Sequence, residues 1–132
     1  MIRIATVGTS SITGLFIEAA RASGRIEVVA CYSRDAAKAA AYAAEQGVGR
    51  SFDDLAAMAS EPDIDAVYVA SPNAAHAAQV RLVLEAGKHV LCEKPIALSA
   101  DEAKALIAAR DRSGKQVIEA FMVRQHPQWL RA

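Results

Sequence analysis

Residues 2–35 read IRIATVGTSSITGLFIEAARASGRIEVVACYSRD, and the order of patterns in this stretch decides the fold class. Residues 2–7 are short, apolar and β-branched and stop at Gly8, which predicts a strand. Ile12, Leu15, Phe16, Ala19 and Ala20 then recur at helical spacing as far as Gly24, a residue suited to a helix C-terminus. Residues 26–33, IEVVACYS, return to strand character. A strand, a helix and a second strand on short loops make a right-handed parallel unit.

The same alternation continues outward. Residues 34–47 predict an alanine-rich helix closed by Gly47, and VGRSF at 48–52 leaves room for a very short third strand. Residues 53–60, DDLAAMAS, start with acids that suit the positive end of a helix dipole. DAVYVAS at 65–71 is a strand ended by Pro72, residues 74–87 a helix ended by Gly87, and HVLCE at 89–93 another strand. In the helix predicted over 99–114, Ser99 and Glu102 occupy the positions of a capping box. QVIEAF at 116–121 is the last strand, and HPQWLRA at 126–132 opens a further helix. This rhythm argues for an α/β fold: a doubly wound parallel sheet with helices on both faces.

Bulk composition excludes several classes of function. At 132 residues, one domain is expected, large enough to bury roughly two-thirds of its unfolded surface. Lys plus Arg equals Asp plus Glu at 15 each, so no nucleic-acid or membrane partner is expected. No apolar run is long enough to span a bilayer, and residues 1–8 lack the apolar core of a secretory leader. Cys31 and Cys92 fall inside strands and read as small buried hydrophobes, which fits a reducing, cytoplasmic setting. His76, His89 and His126 show no metal-ligand spacing, so no metal site is expected. Met58 and Met122 read as core residues, although Met122, at a strand end, also stands where it could meet a ligand.

The turn after the first strand, VGTSSITG at 7–14, is a candidate phosphate loop. Backbone N–H groups and the dipole at a helix start attract phosphate. A dinucleotide loop wants glycines for the turn, for close approach of the pyrophosphate and for helix–strand packing. Gly8 fills the first slot, Ser10 the second and Thr13 the third, while Gly14 is one position late. Hydroxyls of Thr9, Ser10 and Ser11 could add donors, or a Ser or Thr here could cap the helix with no ligand present. After the second strand, where an acid would bind an NAD ribose, stand Ser33 and Arg34, with Lys38 one turn on. A hydroxyl and a guanidinium suit a 2′-phosphate and favour NADP over NAD. The competing reading is a surface Arg34 paired with Asp35.

Two further stretches, VASPNAAHAAQV at 69–80 and EAGKHVLCEKPIALSADEAK at 85–104, complete the pattern together with EAFMVRQHPQ at 119–128. With the loop, they resemble the glucose–fructose oxidoreductase and inositol dehydrogenase family of NAD(P)-dependent oxidoreductases. GKHVLCEKP is the most specific segment. The resemblance implies that residues 1–120 form a dinucleotide-binding Rossmann domain. Residues 121–132 would begin the connection to a second α/β domain, absent from this chain, that carries much of the substrate pocket and subunit contacts. Self-association would follow in the family through that domain.

The resemblance also implies roles. Gly8, Thr9, Ser10, Ser11 and Ile12 would wrap the pyrophosphate of NADP, or of NAD. Ser33, Arg34 and Lys38 would hold the adenosine ribose or its phosphate. Ser71, Pro72 and Asn73 would line the cofactor path, with His76 either touching the cofactor or packing its helix. Glu93 and Lys94 would stand by the nicotinamide ribose and the substrate, followed by a cis peptide before Pro95. Arg124 and His126 would lie near the nicotinamide end. Lys94 would be the catalytic residue, assisting proton transfer as hydride moves between nicotinamide and a hydroxyl-bearing carbon of a sugar, cyclitol or similar polyol. A stand-alone NADP-binding or sensing module without catalysis is the alternative, and a solvent-facing lysine at a strand end is the plain reading of Lys94.

Overall fold

The computed structural model describes residues 1–131. Six strands form one sheet in the order β3-β2-β1-β4-β5-β6, with every neighbouring pair parallel. The strands are β1 (Ile2–Val7), β2 (Ile26–Tyr32), β3 (Ser51–Phe52), β4 (Ala66–Val69), β5 (His89–Glu93) and β6 (Val117–Ala120). The helices are α1 (Ser11–Ser23), α2 (Ala36–Glu45), α3 (Leu55–Ala59), α4 (His76–Glu85), α5 (Ala100–Ser113) and α6 (Pro127–Leu130). The predicted third strand shrinks to two residues, and a 3-10 turn at Asn73–Ala75 precedes α4.

Alternation along the strands sorts side chains between two helical layers. Ala5 and Val7 of β1, with Val67 and Val69 of β4, face Met58 of α3, Val80, Val83 and Leu84 of α4, and Leu106 of α5. On the other face Ile4 and Tyr68 meet Ile12 and Phe16 of α1, while Ile17 and Tyr42 pack around Cys31. Each large aliphatic side chain buried in this way contributes about 1.5–3 kcal/mol. Both cysteines are buried and free, as expected. Met58 is fully buried, but Met122 is 62% exposed, which corrects its expected core role: it lies past the end of β6, in a 3-10 turn outside the sheet.

The chain starts in the middle of the sheet, winds outward to β3, then crosses back to β4 and winds the other way. The loops after β1 and β4 therefore diverge and open a crevice at the carboxyl ends of these strands, where open α/β sheets bind ligands. Gly8 lets the two loops meet closely. Its φ of 106° is a conformation that side-chain-bearing residues avoid, and a β-carbon there would stand 2.5 Å from the Ala70 carbonyl oxygen.

Candidate functional site

The crevice is a cavity of about 1050 Å³ walled by four strand ends. From the β1 side come Gly8, Thr9, Ser10 and Ile12; after β2 come Tyr32, Ser33, Arg34 and Lys38; after β4, Ser71, Pro72, Asn73, His76 and Gln79; and at the end of β5, Glu93 and Lys94. Met122 closes one end. The volume falls at the upper end of the range for small-molecule and cofactor sites.

The first turn of α1 has no side-chain cap. Ser10 takes the N-cap position, yet its side chain makes no capping bond; its hydroxyl lies 3.4 Å from that of Thr13. The alternative that a hydroxyl here caps the helix is not met at Ser10. The first turn of α1 carries no acid. By contrast α2, α3 and α5 start on capping side chains, Asp35, Asp54 and Ser99. An uncapped start leaves N–H donors and the positive dipole end for another partner.

The cations of the crevice are equally uncommitted. Among the described residues, Arg34, Lys38 and Lys94 take part in no salt bridge. Asp35, the candidate partner for Arg34, instead accepts the Lys38 backbone N–H at 2.9 Å. Its carboxylate caps α2 and leaves the guanidinium exposed beside Ser33.

Glu93 is held by a tyrosine. The Tyr68 hydroxyl donates to Glu93 Oε1 at 2.8 Å, and the ring of Phe16 stacks on Tyr68 at 3.9 Å. Burial, reinforced by the bond to Glu93, pushes the Tyr68 phenol well above its ordinary range, so it keeps its proton and stays a donor. Tyr68 and Glu93 meet because Tyr68 pairs with Leu91 in the parallel register and Glu93 lies two residues on, on the same face. Cys92 points the other way into the core, where burial pushes its thiol up to about 12. The Lys94–Pro95 peptide is cis, as the motif implied.

Three comparisons bear on this arrangement. A family model described as "oxidoreductase family, NAD-binding Rossmann fold" matches residues 2–121. The chain belongs to this family. It is similar to the scyllo-inositol 2-dehydrogenase (NADP(+)) IolU of Bacillus subtilis, 43% identical over 121 residues that cover 92% of this chain and 37% of the relative. It is also similar to D-xylose 1-dehydrogenase (NADP(+)) 2 of Haloferax volcanii, 41% identical over 96% of this chain and 39% of the relative. Among solved structures, KijD10, a 3-ketoreductase from Actinomadura kijaniata crystallised with NADP and TDP-benzene, superposes with a TM-score of 0.91 at 34% identity. That alignment covers 98% of this chain and 40% of the ketoreductase. The chain thus spans about two-fifths of the relatives' length. Its share is the dinucleotide-binding fold that the family description names.

Within that frame, most residues singled out from the sequence meet at one crevice. Ser11 and Arg124 do not: Ser11 is exposed on the first turn of α1, Arg124 is exposed in the turn after β6, and neither lines the wall. His126 lies outside it too, its Nδ1 accepting the Gln128 N–H. His76 reaches the wall but is 1% exposed, with both ring nitrogens turned to protein carbonyls. The ring lies between the loop after β4 and the turn after Lys94. Tyr68 and Gln79 were not foreseen. A tyrosine inside a valine-rich strand needs a partner for its hydroxyl, which was a usable signal. Gln79 lies one helical turn beyond His76 and engages the Ser71 hydroxyl.

The crevice fits a nicotinamide dinucleotide. Gly8 keeps free a space that a β-carbon would close, the α1 start offers unpaired donors, and Arg34 and Lys38 supply positive charge on the β2 side.

Proposed function

We infer that this chain is the cofactor-binding part of an oxidoreductase acting on a small sugar, cyclitol or similar polyol, with NADP preferred to NAD. The observation that carries this reading is the meeting, in one crevice, of the α1 start, the Ser33–Arg34 pair and Lys94. When bound, nicotinamide supplies the hydride donor or acceptor.

The residues divide the remaining work. Gly8, Thr9, Ser10 and Ile12 bind the diphosphate by backbone N–H groups. Arg34 holds the 2′-phosphate in its planar fork, with Ser33 and Lys38 beside it. Ser71, Pro72 and Asn73 line the path between the two ends. Tyr68 fixes Glu93, and Glu93 borders the ribose next to the ring. Lys94 hydrogen-bonds the substrate oxygen, stabilises negative charge as it develops there and passes a proton to or from it.

Residues 121–132 serve as the lead into a second domain that completes the substrate pocket. The exposed Ile118, Phe121, Met122, Trp129 and Leu130 support this, because such an apolar strip is suited to being covered. Self-association runs through that second domain. The buried free thiols suit a cytoplasmic setting, and among the described residues no helix is long and apolar enough to cross a membrane.

Separate fluorescence titrations with NADPH and NADH test the reading. NADPH is expected to bind at least tenfold more tightly, and Arg34→Ala is expected to remove about 1.5–3 kcal/mol of that preference, the worth of a charge-assisted bond. Tighter NADH binding would overturn the role of Ser33 and Arg34, and binding of neither would overturn the cofactor reading.

A further inference from the structure

His76 is the first residue of α4, and its ring is buried between two loops that line the crevice. Nε2 lies 2.7 Å from the Ser71 carbonyl oxygen, in the loop after β4. Nδ1 lies 2.7 Å from the Pro95 carbonyl oxygen, in the turn that follows Lys94. A carbonyl oxygen only accepts, so a ring N–H must point at whichever one it bonds. The Pro95 carbonyl belongs to the peptide unit whose N–H, on Ile96, donates to Glu119 Oε2 of β6 at 2.9 Å. One peptide plane, next to the lysine, is therefore held from α4 on its oxygen side and from β6 on its nitrogen side. The Ser71 loop is braced separately, by the contact of its hydroxyl with Gln79.

We propose that His76 is a positioning residue for Lys94: its Nδ1–H fastens the Pro95–Ile96 peptide, so the turn carrying the ammonium is tied to the start of α4, the helix that follows the loop lining the cofactor path. This rests on the reading of the crevice as a dinucleotide site with Lys94 at its reacting end. Lys94 is itself exposed and makes no salt bridge among the described residues, so its position is set by the backbone that bears it. Without the imidazole, that peptide would keep only the Glu119 anchor.

The test uses the chain as it is, in three variants. His76→Asn keeps a donor near the Nδ1 position, His76→Gln keeps one near Nε2, and His76→Leu keeps the bulk and neither donor. Amide hydrogen exchange at Ile96, whose N–H sits on the same peptide plane and donates to Glu119, reads how readily that plane is released, with no ligand added. Exchange is expected to be about tenfold faster in His76→Leu and His76→Gln, the size of one lost buried hydrogen bond, and close to the starting rate in His76→Asn. Acylation of Lys94, followed by peptide mass mapping with and without NADPH, reads the consequence. NADPH is expected to protect Lys94 in the unaltered chain and in His76→Asn but not in His76→Gln. Equal exchange at Ile96 in the Asn and Gln variants would overturn the proposal even if the Leu variant failed to fold. A rate at Ile96 that follows the pattern, in a chain that NADPH neither binds nor protects, would uphold the clamp and instead remove the dinucleotide reading.

Discussion

At Gly8 and Gly14, two glycines six residues apart face opposite demands. Gly8 takes φ 106°, and a β-carbon there would collide with the Ala70 carbonyl, which is backbone and has little room to move. At Gly14, inside α1, a β-carbon would meet only the Tyr42 hydroxyl at 3.8 Å and the Gln46 amide, which are ordinary contacts. Gly8→Ala is expected to cost about 1–3 kcal/mol through left-handed strain and displacement of the loop from β4. Gly14→Ala is expected to gain about 0.5–1 kcal/mol, because glycine inside a helix loses backbone entropy with no side chain to compensate. Urea unfolding of both variants checks the pair, and a neutral Gly8→Ala would remove the steric account of the turn. Gly8 was legible because a glycine ends a β-branched run there. The buried Thr13 in the third slot was not, because its environment comes from tertiary packing.

Helix starts carry the next distinction. Ser99 accepts the Glu102 N–H at 3.2 Å, and Glu102 returns a bond to the Leu98 N–H at 2.7 Å, one residue before the position that a standard capping box uses. Ser10 occupies the same kind of position at α1 without making the bond. Ser99→Ala is therefore expected to cost about 1 kcal/mol, and Ser10→Ala much less, when chemical denaturation midpoints are compared. Equal losses would mean that Ser10 does cap α1, and the helix start would no longer be reserved for an anion. The sequence displays these elements well because their periods are local: apolar residues at helical spacing mark α1, and β-branched runs mark β1 and β4. It displays β3 poorly, since two residues carry no period. The links from Tyr68 to Glu93 and from His76 to Pro95 span 25 and 19 positions, and they depend on strand register and on the docking of α4, which no local window contains.

Across the whole molecule, the paired charges and the crevice occupy opposite ends of the sheet. At the amino ends of β1 and β4, Asp65 accepts from the Arg3 backbone N–H at 2.8 Å and from its guanidinium at 3.0 Å, while the Asp65 N–H donates to the Arg3 carbonyl. At the carboxyl ends, the cations of the crevice remain unpaired among the described residues. The hydrogen bonds from Arg3 bring the Asp65 carboxyl down from an ordinary 3.8 to about 2. A carboxyl whose value is lower in the folded chain than in the unfolded one stabilises the fold fully above the unfolded value. That contribution declines as the pH falls from about 4 and is gone below about 2. Asp65→Asn is thus expected to be less stable than the unaltered chain at pH 6, with the difference narrowing steadily between pH 4 and pH 2. Circular-dichroism melts at pH 6, 4, 3 and 2 measure that difference. Both side chains are about 40% exposed, so solvent screens the pair and its size at pH 6 stays modest. The narrowing is the diagnostic feature: a difference that stays constant down to pH 2 would show that Asp65 acts through packing or its backbone bonds rather than through its charge.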